Sequence, residues 1–231
     1  KNYPRVDNYV RFWEIPHNRI LEVDVNGGEP TASRNYKKIL ANLPPNTKVL
    51  RMNTNCSRMI PELENILRKR IMVIVTISFD GTGDIHDYVR WPIKWKNFTR
   101  NVQAYKDLQK RFPNLKLNCW TTVSCLNAEN FPAILDFVTE HNLDHDWAFL
   151  RTPDALNVKH KNNFTLSAKK KLQESTYQQC KNMAESIAID SDNSDQLLLY
   201  IKRQDFLRKI SIKDYFNFDP NLARKSFANL S

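Results

Sequence analysis

Apolar and polar positions alternate in blocks along this chain, and the blocks predict strands and helices in turn. Residues 20–25 (ILEVDV) form an apolar, β-branched run that ends at Asn26-Gly27-Gly28-Glu29-Pro30. From 30 to 42 the spacing is helical, and the Pro44-Pro45 pair stops it. Residues 48–52 (KVLRM) predict a second strand closed by the turn Asn53-Thr54-Asn55, and 60–69 a helix. The most strand-like stretch is 71–79 (IMVIVTISF), which ends at Asp80-Gly81-Thr82-Gly83. Residues 95–112 carry Phe98, Val102, Tyr105 and Leu108 at helical spacing. A fourth strand is predicted at 115–124, a helix with Phe131, Ile134, Leu135 and Val138 on one face at 128–141, and a fifth strand at 146–151.

Strands alternating with helices predict parallel βαβ units, and an unbroken apolar strand such as 71–77 predicts burial on both faces. After Arg151 the pattern changes to a polar loop over 152–164, two long helical patterns at about 165–188 and 192–209, and an aromatic tail with Tyr215, Phe216 and Phe218. Residues 1–19 read as a helix with Tyr9, Val10, Phe12 and Trp13 on its core face.

Composition narrows the classes. The 231 residues suffice for one large domain, no stretch reaches 18 consecutive apolar residues, and the first residues have no apolar signal region. A membrane-spanning helix is not expected, and a cytoplasmic, reduced setting fits the cysteines. These are Cys56, Cys119, Cys125 and Cys180, at spacings that match no zinc or cluster motif. The net charge of +10 admits a polyanionic partner such as nucleic acid. That charge is spread along the chain, with a short cluster at Lys169, Lys170 and Lys171 that reads as a solvated helix face.

In parallel α/β proteins ligands bind at the carboxyl ends of strands. All four glycines lie in two such turns. Gly27 and Gly28 let backbone approach a small polar ligand, and Glu29 offers a carboxylate suited to an ammonium group; a glycine turn with a capping acid is the alternative. Asn53 and Asn55 suit ligand hydroxyls but are also ordinary turn formers. Ser78 and Asp80, exposed at a strand end, suit a ribose or carboxylate. Arg90, in the following His86-Asp87-Tyr88-Val89-Arg90, suits a carboxylate or a neighbouring salt bridge.

The order GGEP, NTN, S-F-D-G and H-D-x-x-R at the ends of successive strands resembles the radical S-adenosylmethionine (SAM) superfamily. Residues 122–138 and 206–216 resemble its branch with SPASM or twitch extensions. The resemblance covers residues 20–151 well and the rest loosely. It implies an α/β fold, a partial (β/α) barrel of parallel strands over 1–151, with a C-terminal helical extension over 152–231. It also implies SAM as cofactor. Gly27, Gly28 and Glu29 would hold its amino group, with Asn53 or Asn55 and Ser78 or Asp80 near the ribose and carboxylate. Arg90 would contact the carboxylate, and Asn127 the adenosine side. A [4Fe–4S] cluster on a CxxxCxxC motif would cleave SAM to a 5′-deoxyadenosyl radical that modifies a substrate, a peptide or protein being the first expectation. No cysteine precedes Gly27 here, so the expectation is a barrel whose first strand–helix unit and cluster loop are absent from this chain. The other expectation is a cluster-free barrel that binds nucleic acid or a partner through its basic surface.

Overall fold

A computed structural model of the chain describes residues 19–27, 29–32 and 36–216. The helix expected over residues 1–19, the tail residue Phe218 and Gly28 thus lie almost wholly outside the described residues. Five strands form one parallel sheet in the order β1 (Glu22–Val25), β2 (Val49–Thr54), β3 (Met72–Ser78), β4 (Leu115–Val123) and β5 (Asp144–Phe149). Sequential neighbours in a parallel sheet need helical crossovers. These are α1 (Tyr36–Ala41), α2 (Leu63–Arg68), α3 (Gly83–Val89) with α4 (Trp95–Arg111), and α5 (Phe131–Glu140). The result is the expected α/β partial-barrel-like fold. β1 and β2 register Val25 opposite Met52, and β2 and β3 register Thr54 opposite Ile77.

The helix expected over 30–42 is a 3-10 turn (Pro30–Ala32) followed by α1. β5 sits two residues earlier than its sequence pattern suggests, because its exposed and half-buried residues alternate with no apolar run to mark it. β3 does not bury uniformly: Val73, Val75 and Ile77 are fully enclosed, while Met72, Ile74, Thr76 and Ser78 are half-buried. Beyond β5 lie a 3-10 turn (Asp154–Leu156), β6 (His160–Lys161), α6 (Asn163–Glu174), α7 (Gln178–Ser186), β7 (Ser191–Asp192) and α8 (Ser194–Arg208). The single helix expected over 165–188 is thus two, separated at Ser175. The Asn162 side chain caps α6 by accepting from Thr165 N–H.

The chain divides into two compact units, one of residues up to Ile77 with Asn101–Asn118, the other of Ser78–Arg100 with the residues from Cys119 onward. In the first, Leu50, Met52, Leu63, Leu67, Val73, Val75 and Tyr105 make the core. Asn114 Nδ2 donates to the carbonyls of Leu67 and Ile71, closing the loop between α2 and β3. In the second, an aromatic cluster joins Phe79 to Phe98 at 5.3 Å and to Phe137 at 5.4 Å, with Trp95 stacked on Phe98. A further group in that unit packs Tyr88, Leu126, Leu156, Leu197, Ile201 and Ile212. Tyr88 Oη donates to Asp205 Oδ1 at 2.8 Å there, tying α3 to α8.

Candidate functional site at the strand ends

In the first unit the turn after β1 is locked to the end of β2 by one carboxylate. Glu29 Oε1 accepts from Thr31 N–H at 3.1 Å and from the Thr31 hydroxyl at 2.8 Å. The Thr54 hydroxyl lies 3.1 Å from Oε1 and 3.0 Å from Oε2. Asn55 N–H donates to Oε2 at 2.7 Å. A carboxylate has about four lone-pair sites, so these donors occupy it fully. Thr54 in turn accepts from Cys56 N–H at 3.0 Å, and Cys56 takes a left-handed φ of 57°. Gly27 adopts φ 111°, which side chains resist, and a Cβ built there would meet nothing within 4 Å. Asn53 Nδ2 donates to Asn26 Oδ1 at 2.8 Å, a second tie between the two turns. Asn55 Oδ1 accepts from Ser57 N–H.

Thr54 was not among the residues singled out by sequence, yet it is the hinge of this lock. Its signal is the buried register of β2, where Leu50, Met52 and Thr54 all point inward. Tyr105 Oη is buried nearby without a well-directed hydrogen bond. Burial, Cys56 and the Glu29 carboxylate all hold its phenol proton on.

The second unit assembles Asp80, Arg90 and Asn127. Asp80 is buried, not exposed as its place at a strand end suggested. Its Oδ1 accepts from Thr122 N–H at 2.8 Å, and Oδ2 lies 2.7 Å from Arg90 Nε. That approach is an ion pair whose Nε–H is not aimed along the contact. Asn127, 1% exposed, accepts from Ser124 N–H and hydroxyl, and donates to the carbonyls of Asp80 and Thr122. Thr82 N–H donates to Asn130 Oδ1 at 2.7 Å. Ser78 is half-buried at the end of β3.

Gly81 is required by close approach: a Cβ there would lie 2.9 Å from Ile85 Cγ2 and 3.1 Å from His86 N. His86 itself is fully buried, with neither ring nitrogen in a well-directed hydrogen bond. Its ring faces Phe98 at 4.7 Å and Trp95 at 5.2 Å. Burial, then the Arg90 charge, pushes its pKa down to about 4, so the imidazole is neutral near pH 7. Asp87 caps α4 by accepting from Trp95 N–H and pairs with Lys94 at 3.1 Å.

All four cysteines are buried. Burial pushes the Cys119 and Cys125 thiols up to about 12. Among the described residues no group of three His, Cys, Asp or Glu side chains could hold a metal ion. These thiols do not fit a three-cysteine [4Fe–4S] site. No described helix is long and apolar enough to cross a membrane.

The described residues define a parallel α/β protein whose polar residues gather in the turns following its strands. No protein-family model matches the chain, and no curated protein does. Solved structures align at low identity. SuiB of Streptococcus suis bound to S-adenosylmethionine aligns over 100% of this chain and 47% of its own, with 14% identity and a TM-score of 0.48. SuiB bound to the precursor peptide SuiA aligns over 90% of this chain and 41% of its own, at 16% identity and 0.48. Native anSMEcpe with bound AdoMet aligns over 84% and 55%, at 16% identity and 0.48. The chain therefore spans about half the length of these structures.

Proposed function

We propose that this chain is the SAM-binding core of an enzyme that modifies a peptide or protein. The observation that carries the reading is the lock at Glu29, which ties the segment at Glu29 and Thr31 to the end of the next strand. A methionine ammonium and carboxylate need donors and acceptors fixed before binding, since ordering them afterwards subtracts from affinity. In this reading the backbone of Gly27 and Gly28 serves the ammonium, and Glu29 fixes the adjoining segment to the end of β2. Asn53 and Asn55 border the same turns. In the other unit, taken by itself, Arg90 is the candidate for a ligand carboxylate and Ser78 for a ribose hydroxyl, while Asp80 and Asn127 hold the turn backbone.

The proposal is one of binding and orientation. Reductive cleavage of the sulfonium needs a [4Fe–4S] cluster, whose ligands these cysteines do not provide. In this reading radical chemistry would need cluster ligands other than these four cysteines.

Calorimetric titration of the folded chain with SAM tests the reading. Saturable binding is expected, with competition by S-adenosylhomocysteine and none by ATP. Gly27→Val forces a branched side chain into φ 111° and should weaken binding at least about tenfold, equivalent to ~1.4 kcal/mol. No heat and no thermal shift at millimolar SAM, with the fold intact by circular dichroism, would overturn it.

A further inference from the structure

Three side chains away from those turns form a continuous hydrogen-bonded relay. His160, 7% exposed, stands in β6. Its Nε2 lies 2.9 Å from Asp154 Oδ2, and its Nδ1 lies 3.1 Å from Ser191 Oγ. The three come from separate segments of one unit: the 3-10 turn after β5, β6 and β7. β6 and β7 pair in parallel with His160 opposite Ser191. The flanks are pinned as well, Asp190 N–H donating to Lys159 O at 2.9 Å and Asn193 Nδ2 to Ala155 O at 3.1 Å. Asn162 Nδ2 donates to Asn193 Oδ1 at 3.1 Å. Ser191 itself is exposed.

The polarity of the relay follows from hydrogen-bond inventory. An ionised carboxylate only accepts, so Asp154 requires a proton on His160 Nε2. Nδ1 of the neutral ring then presents a lone pair, and the partner there is the Ser191 hydroxyl, which can donate. Asp154 stays ionised: the His160 contact, and then Lys159 at 3.1 Å, hold its carboxyl below the usual range. A carboxylate, an imidazole and a reachable hydroxyl in this order are what nucleophilic acyl transfer uses.

We propose that Ser191 is an activated nucleophile, with His160 as its general base and Asp154 fixing the tautomer, and that it accepts acyl groups from small activated esters. Oγ bonds to the ester carbonyl carbon as its proton passes to His160 Nδ1. The bond from that carbon to the leaving oxygen then breaks, and the leaving alcohol takes the proton from Nδ1. Water completes the cycle: its oxygen bonds to the acyl carbon, its proton goes to Nδ1, and the carboxylic acid departs as Oγ recovers that proton. Because Ser191 is exposed, solvent carries the developing oxyanion, so covalent capture is the sensitive readout and fast turnover is not required. This site is independent of the SAM reading.

The test treats the full chain with a fluorophosphonate at neutral pH, where Oγ displaces fluoride from phosphorus, and maps adducts by tryptic mass spectrometry. Ser191 should label selectively, about 100-fold faster than in His160→Gln, which lacks the base. Asp154→Asn should slow labelling about tenfold, a modest factor because its carboxylate, 57% exposed, is screened by water. That exposure keeps the variant folded and makes it decisive where His160→Gln does not fold. The proposal is overturned if native Ser191 labels no faster than in urea-unfolded chain, or if Asp154→Asn labels at the native rate.

Discussion

Replacing Glu29 by Gln should release the turn after β1. The side chain keeps its length and loses one acceptor atom and its charge. In the better rotamer the remaining oxygen stays on Asn55 N–H, the shortest of the contacts at 2.7 Å. The new amide nitrogen then faces Thr31, whose N–H loses its acceptor, while the threonine hydroxyls rotate to accept. A hydrogen bond to a charged group contributes about 1.5–3 kcal/mol, and an orphaned donor at a half-buried site adds a cost near the low end of 1–3 kcal/mol. Solvent at the rim recovers part of this, leaving about 2 kcal/mol of local stability. Because the loss is local, amide hydrogen exchange is the suitable assay. The Thr31 amide should exchange about 30-fold faster, the factor that ~2 kcal/mol represents. Glu29→Asp keeps the charge but not the reach between the two turns, and should behave similarly. Protection at Thr31 in Glu29→Gln within twofold of the native chain would refute the lock as the organiser of this turn.

Two further outcomes follow from burial. His86 titrates at about 4 when folded, against about 6.5 when unfolded, so the unfolded chain takes the proton first. Its contribution to stability is complete above pH 6.5 and is lost as pH falls toward 4, by up to about 3 kcal/mol. The stability difference between the native chain and His86→Phe should change across that window, with His145, also lowered by burial, cancelling; a constant difference refutes it. Cys119 and Cys125, with thiols near 12, expose about one thiolate in ten thousand at pH 8. Iodoacetamide should alkylate them only on unfolding, and prompt alkylation of either in the native chain, read by mass spectrometry, would refute their enclosure.

Long elements with strong periodicity were legible in the sequence. The helix expected over 95–112 is α4, Trp95–Arg111, and the strand expected over 71–79 is β3, Met72–Ser78. Elements shaped by local hydrogen bonds were not. α3 spans Gly83–Val89, under two turns, and its buried His86 and Tyr88 lie two apart, a spacing that signals no helix. β6 and β7 are two residues each and hold together by a single paired register, too short to leave a pattern. The relay at Ser191 was invisible for the same reason, since its members are 37 residues apart at the extremes and meet only through tertiary structure. The turns after β1, β2 and β3 were located correctly by glycine, asparagine and aspartate, because those residues mark strand ends whatever they bind.

What the sequence could not show is how those polar side chains are already engaged. Asp80 and Asn127 in one unit spend their hydrogen-bonding capacity on Thr122, Ser124, Arg90 and one another's segment. Glu29 in the other spends its own on Thr31, Thr54 and Asn55. A buried polar group that is fully partnered gains nothing by exchanging a partner for a ligand, so such residues act by holding backbone in place. On the proposed function, recognition falls to what the framework leaves open. In the first unit that is the backbone around Gly27, beside which a Cβ would find empty space. In the second, the Arg90 guanidinium is only partly enclosed beside Asp80, its side chain 23% exposed. Substitutions at Asp80, Asn127 and Glu29 should therefore lower stability and affinity together. Arg90→Lys, which keeps the charge and removes the planar fork, should lower affinity with the smaller effect on stability. Parallel losses of stability and affinity at all four positions would show that Arg90 too belongs to the framework.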